Sequence, residues 1–161
     1  MKAAPSLLYL REEELTDGIE LFFFAGRDFA KTLDLRLSAL GLGRAHYRAL
    51  HFVARHPGIP VSDLLGILGI TKQSLSRVVR NLTEGGYLTQ TQGSHDRRQR
   101  LLRLTGKGAG VEAELTALQR SRLARAYREA GPEAVAGFRQ VLSGLLAEQE
   151  RAGVLRLIAK R

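Results

Sequence analysis

Between Ile70 and Gly108 the chain reads ITKQSLSRVVRNLTEGGYLTQTQGSHDRRQRLLRLTGKG. No other stretch limits the fold as tightly. Leu75, Val78, Val79 and Leu82 recur at helical spacing and predict an amphipathic helix over 72–84. Gly85-Gly86 stops it. Tyr87 to Gln92 has strand composition, and Gln99 to Leu104 alternates as QRLLRL, so two strands follow. The six residues between them, Gly93 to Arg98, are too many for a two-residue turn and predict a polar loop. Ahead of the helix, Val61, Leu64, Leu65 and Leu68 mark a shorter one over 61–68, with Ser62 near its start. Gly69 breaks that helix and Thr71 is placed to cap the next. Two short helices joined by about three residues that include a glycine, then a β-hairpin, form a winged helix-turn-helix pattern.

The flanks are helical. Leu15, Ile19, Phe22, Phe23, Phe29, Leu33 and Leu37 follow a 3.6 period and predict a long helix over 12–39, closed by Gly41 and Gly43. Thr16-Asp17 offers an alternative start. A helix over 44–55 turns Tyr47, Leu50 and Ala54 inward and ends at His56-Pro57-Gly58. Pro60 precedes the next start. Thr105 caps a long helix from Gly106 to about Ala130, broken by Gly131-Pro132. Beyond it Val135, Phe138, Val141, Leu142, Leu145 and Leu146 give a broad apolar face, and the tail VLRLIAKR is apolar again. The terminal helices carry more apolar surface than a thin monomer needs, so a homodimer that packs both ends of both chains together is expected.

The expected fold class is therefore mainly α with a small β-hairpin wing: a winged helix-turn-helix plus terminal dimerisation helices. Residues 1–43 form the N-terminal dimerisation helix, 44–108 the winged region, and 109–161 the C-terminal dimerisation helices. Together they make one intertwined domain per subunit. A chain of 161 residues, 44% hydrophobic, suits that size.

Charge points to the partner. The formal net charge is +9. Lys72, Arg77, Arg80, Arg97, Arg98, Arg100, Arg103 and Lys107 are opposed between 71 and 107 only by Glu84 and Asp96, so this segment carries six of the nine. A cationic helix and hairpin imply a polyanionic partner. The chain has no cysteine, which excludes disulfides, thiolate metal sites and cysteine redox sensing. No run of ~18 apolar residues predicts a membrane span. The opening MKAAPSLLYLREEEL lacks the apolar core and cleavage site of a signal peptide, so a cytoplasmic location is expected.

On the 72–84 helix the face away from Leu75, Val79 and Leu82 presents Gln73, Ser76, Arg77 and Arg80. Gln can bond the major-groove edge of adenine, and Arg that of guanine. Thr71, Lys72 and Ser74, near the helix N-terminus, suit phosphate. In the loop, Ser94-His95-Asp96 is no catalytic triad, because adjacent residues of an extended loop diverge rather than converge on a pocket. Asp96 instead suits a brace that pairs with a neighbouring guanidinium. It leaves Arg98, or failing that Arg97, to enter a narrow minor groove. His46, His51 and His56 are five residues apart, about 140° past a full helical turn, so neighbours share no face for a metal. LTGKG lacks the earlier glycine of a phosphate-binding loop. Neither metal nor cofactor is expected, and no acid–base pair suggests an enzyme.

Asp96-x-Arg98, five residues, then Leu104-Thr105-x-x-Gly108 resembles the wing motif of the MarR family of bacterial transcription regulators. Leu42 to Leu50 (LGRAHYRAL) is similar to that family's second-helix opening, although His46-Tyr47 stands where Gln and an aromatic are common. Residues 64–82 resemble its helix-turn-helix. The resemblance implies an obligate dimer with Gln73, Ser74, Ser76 and Arg77 at the major groove and Arg98 at the minor groove. It also implies a small aromatic or phenolic effector, with a wall drawn from Phe23, Arg27, His46, Tyr47 and Arg48.

The expected function is a sequence-specific double-stranded DNA-binding regulator of a pseudo-palindromic operator, a repressor released by a small ligand. The competing reading is a winged-helix interaction module that uses the same basic face on an acidic protein or on RNA.

Overall fold

The computed structural model describes residues 7–160. Residues 1–6, part of the opening read for a leader, lie outside them. The chain divides into two compact units, one ending at Gly43 and one beginning at Arg44.

The first unit is a short 3-10 turn, Leu7–Leu10, and helix α1, Glu12–Ala39. Glu12, Glu13 and Glu14 fill the first turn of α1, where carboxylates complement the helix dipole. The alternative start at Thr16 is wrong. The Thr16 hydroxyl donates to the Glu12 carbonyl at 2.9 Å, so Thr16 lies one turn inside. Gly41 closes the helix at φ +68, with its N–H on Ser38 O and that of Leu42 on Leu37 O. Of the expected stripe Leu33 and Leu37 are buried, while Leu15, Ile19, Phe22, Phe23 and Phe29 are exposed.

The second unit holds α2 (Arg44–Arg55), β1 (Ile59–Pro60), α3 (Val61–Leu68), α4 (Lys72–Glu84), β2 (Leu88–Gln92), β3 (Arg100–Leu104), α5 (Gly106–Leu145) and α6 (Glu148–Ala159). Its core is Ala49, Leu50 and Val53 of α2, Leu64 and Leu68 of α3, the four apolar residues of α4, and Leu88, Leu102 and Leu115. Each such leucine contributes about 1.5–3 kcal/mol through burial. The inward face of α2 differs from the expected one. Leu50 is central, but Ala49 and Val53 flank it, whereas Tyr47 and Ala54 are half-buried. The apolar stripe is rotated because α2 meets α3, α4, β3 and α5 together, and the crowded side selects small residues.

The wing is a three-stranded antiparallel sheet in the order β1-β3-β2, not a lone hairpin. Ile59 pairs with Leu102, and Leu88 with Leu104. The loop is one residue longer than read, since Gln99 N donates to Asp96 O and β3 begins at Arg100. Helix α5 is interrupted where Gly131-Pro132 was expected to break it. Gly131 sits at φ 82, ψ 168, a conformation open only to glycine. After the break, Phe138, Val141 and Leu145 are exposed, as are Leu155 and Ile158 of α6.

Arg55, the last residue of α2, donates to the carbonyls of Ile158 (3.3 Å) and Lys160 (2.5 Å), which ties the end of α6 to the winged region. Next to it, the Nε2 atom of His56 is covered and has no hydrogen-bond partner among the described residues. Burial lowers the pKa of His56, and the charges of Arg55, Lys160 and His51 lower it further. The folded protein thus binds this proton less well than the unfolded chain. Stability is complete above the ordinary histidine value of about 6.5 and is lost as pH falls through the lower folded value. The melting temperature should drop on acidification from pH 7.5 to 5.5, and less so in His56→Gln. Equal drops in the two proteins would reject this account.

Candidate nucleic-acid interface

Helix α4 is set by its two ends. Gly69 takes the left-handed C-cap of α3 at φ 60, and Thr71 turns extended at φ −68, ψ 149. The Thr71 side chain accepts from Ser74 N at 3.1 Å and donates to Ser74 Oγ at 2.8 Å. The predicted N-cap is therefore present. With Leu75, Val78, Val79 and Leu82 buried, 3.6-residue geometry forces Gln73, Ser76, Arg77 and Arg80 outward, and all four are exposed, with Lys72 and Ser74.

In the loop, the Asp96 carboxylate accepts from the backbone N–H of Arg98 at 2.9 Å. The expected pairing with a guanidinium is not what braces the loop. A carboxylate on so short a stem reaches the amide two residues on more readily than a flexible side chain, which closes an Asx turn. The guanidinium groups of Arg97 and Arg98 are exposed and have no protein partner among the described residues. Gly93 allows the tight return. A Cβ there would lie 2.6 Å from the Asp96 carbonyl oxygen.

Helix and sheet share one side. A groove of ≈ 670 Å³ is floored by Leu65, Leu75 and Val79 and rimmed by Lys72 and Arg80 of α4 and Arg100 of β3. Arg100 counts in the sequence toward the cationic segment but not among the residues expected to touch DNA. The signal that could have found it is strand alternation, which puts Arg100 on the face of Leu102, toward α4. Arg103, on the alternate face, is also exposed.

The residues expected to line an effector site divide between the two units. Phe23 is exposed and meets Phe24 edge to face at 5.3 Å. Arg27 pairs with Asp28 at 2.9 Å and lies over the Phe24 ring. In the second unit Arg48 is exposed, and His46 and Tyr47 are half-buried. The Tyr47 hydroxyl lies 3.1 Å from Thr116 Oγ1, whose own hydroxyl donates to Glu112 Oε1 at 2.6 Å. The same oxygen is 3.0 Å from His51 Nδ1. A carboxylate anchors this chain of hydrogen bonds between α2 and α5. Sequence reading missed His51, Glu112 and Thr116, because partners more than 60 residues apart leave no local pattern.

A model of the MarR family matches residues 40–99. The HTH-type transcriptional regulator PetP of Rhodobacter capsulatus is 50% identical over 141 residues, covering 88% of this chain and 85% of its own length. The chain belongs to the MarR family. Its fold is shared by solved structures, two of them as follows. A cysteine-to-serine mutant of MarR from E. coli, complexed with operator DNA, superposes with a TM-score of 0.67 at 20% identity, covering 87% of this chain and 99% of its own. NadR in complex with 4-hydroxyphenylacetate gives 0.67 at 19% identity, covering 77% and 88%. MarR proteins are transcription regulators rather than an enzyme family. In this MarR-family chain the family model spans α2, β1, α3, α4, β2 and the loop up to Gln99. No helix among the described residues is long and apolar enough to cross a membrane.

Proposed function

We propose that this MarR-family regulator binds duplex DNA as a homodimer and reads a pseudo-palindromic operator. Gln73, Ser76, Arg77 and Arg80 meet base edges in the major groove, while Thr71, Lys72 and Ser74 hold phosphate. Arg98 enters the flanking minor groove with Arg97 beside it, and Asp96 shapes the loop through the Arg98 amide. The observation that carries this reading is the shared groove, which gathers Lys72 and Arg80 of α4 with Arg100 of β3 on one side of the winged region. Cations on opposite sides could not follow one duplex.

Dimerisation falls to residues 1–43 and 109–161, where exposed Phe22, Phe23, Phe138, Val141 and Leu145 supply the apolar surface. Two recognition helices should then sit ~34–36 Å apart, one turn of DNA. The site of action is the cytoplasm. The protein represses, and a small phenolic effector releases it, as the NadR complex with 4-hydroxyphenylacetate suggests by analogy.

Selection of bound sequences from a random duplex pool tests the reading. It should return a two-fold motif. Arg77→Ala should cost ~1–3 kcal/mol on that motif and relax preference at one base position per half-site. Recovery of no motif, or a variant with unchanged preference, would favour an interaction module for an acidic protein or RNA instead.

A further inference from the structure

One of the exposed cations between residues 71 and 107 is engaged by the protein itself. Lys107 Nζ donates to the Gly85 carbonyl at 2.7 Å and stands 4.3 Å from the centre of the Tyr87 ring. Gly85 is the C-cap of α4, so the ammonium occupies the negative end of the helix dipole. Other contacts join the same two segments. The Thr105 N–H donates to Tyr87 O at 3.0 Å, and the Thr105 hydroxyl to Gly86 O at 2.6 Å. Gly108 passes so close to the Tyr87 carbonyl that no Cβ fits between them. The end of α4 and the first turn of α5 form one joint, and of the residues that make these contacts Lys107 alone is charged.

We propose that Lys107 is a positioning residue for DNA reading: it contacts no phosphate and instead fixes the angle at which α4 leaves α5. The inference rests on the proposal that α4 reads the operator. A 13-residue helix is ~20 Å long, so a 5° tilt about its C-terminal joint moves its first turn by roughly 1.7 Å. Hydrogen bonds to base edges do not survive such a shift. Long, flexible lysine and arginine side chains follow a phosphate through it.

Lys107→Met keeps the apolar stem over Tyr87 and removes the charge and the donor. It should weaken binding to the selected operator about 5- to 20-fold. Affinity for random duplex, and the slope of log affinity against log salt, should match the parent. Hydrogen exchange over residues 81–87 should accelerate. Lys107→Arg, whose guanidinium reaches the same carbonyl and stacks on the same ring, should restore operator affinity. If Lys107 touched phosphate, Lys107→Met would flatten the salt slope by about 0.9 per lost contact and weaken random-duplex binding as well. That result, unchanged operator affinity or unchanged exchange overturns the inference and leaves the regulator reading intact. A parent protein that selects no operator overturns both.

Discussion

Gly108→Ala should melt about 10 °C below the parent protein. The added Cβ would overlap the carbonyl oxygen of Tyr87 and lie 3.0 Å from its carbon. Both atoms are backbone, so no side chain can rotate away. Relief requires the first turn of α5 to draw back from β2. That movement strains the Thr105 N–H to Tyr87 O bond and the Lys107 contact with Gly85. Overpacking of this kind costs about 3 kcal/mol, and a unit of this size loses roughly 3–4 °C per kcal/mol. Gly110→Ala is the control. It lies in the same helix with nothing within 4 Å of its would-be Cβ, and should gain about 1 kcal/mol from helix propensity. Circular-dichroism melts of the three proteins decide the matter. Superimposable curves for the parent and Gly108→Ala would mean that the joint is loose.

A rise in salt from about 50 to 200 mM should weaken operator binding about a thousandfold. Lys72, Arg77, Arg80, Arg97, Arg98, Arg100 and Arg103 are all exposed, and none forms an ion pair among the described residues. A dimer doubles that number. If three per subunit displace counterions, the slope of log affinity on log salt is about −5, enough for that loss. Fluorescence anisotropy with a labelled operator measures it directly. Binding that hardly changes over this range would remove duplex phosphate as the main partner.

The helices could be read ahead of the structure because their signals are local. The bounds of α2, α3 and α4 follow from apolar spacing and from Gly69, Thr71 and Gly85, each within a few residues of the end that it marks. Thr105 and Gly131 served α5 in the same way. What escaped is non-local. Strand β1 is two residues long and exists only because β3, about 40 residues later, pairs with it. Asp96 reads as a partner for a guanidinium, whereas it accepts from the Arg98 amide, because its donor depends on the backbone of the folded loop. Lys107 counts toward the cationic surface because charge can be tallied from sequence, whereas its contacts with Gly85 and Tyr87 cannot. Tyr47 could be assigned to a helix but not to Thr116 and Glu112. On the candidate interface, exposure of Gln73, Ser76, Arg77 and Arg80 followed from the periodicity of α4 alone.

The brevity of β1 bears on colloidal behaviour. A small sheet with two free margins invites a foreign strand to add to either one, the first step toward fibrils. On one margin only Ile59 and Pro60 are available, and a proline ring presents no N–H to an incoming chain. That margin cannot propagate. Strand addition to this sheet should therefore occur along Leu88–Gln92, an uncharged border where Thr91→Lys would be the natural safeguard.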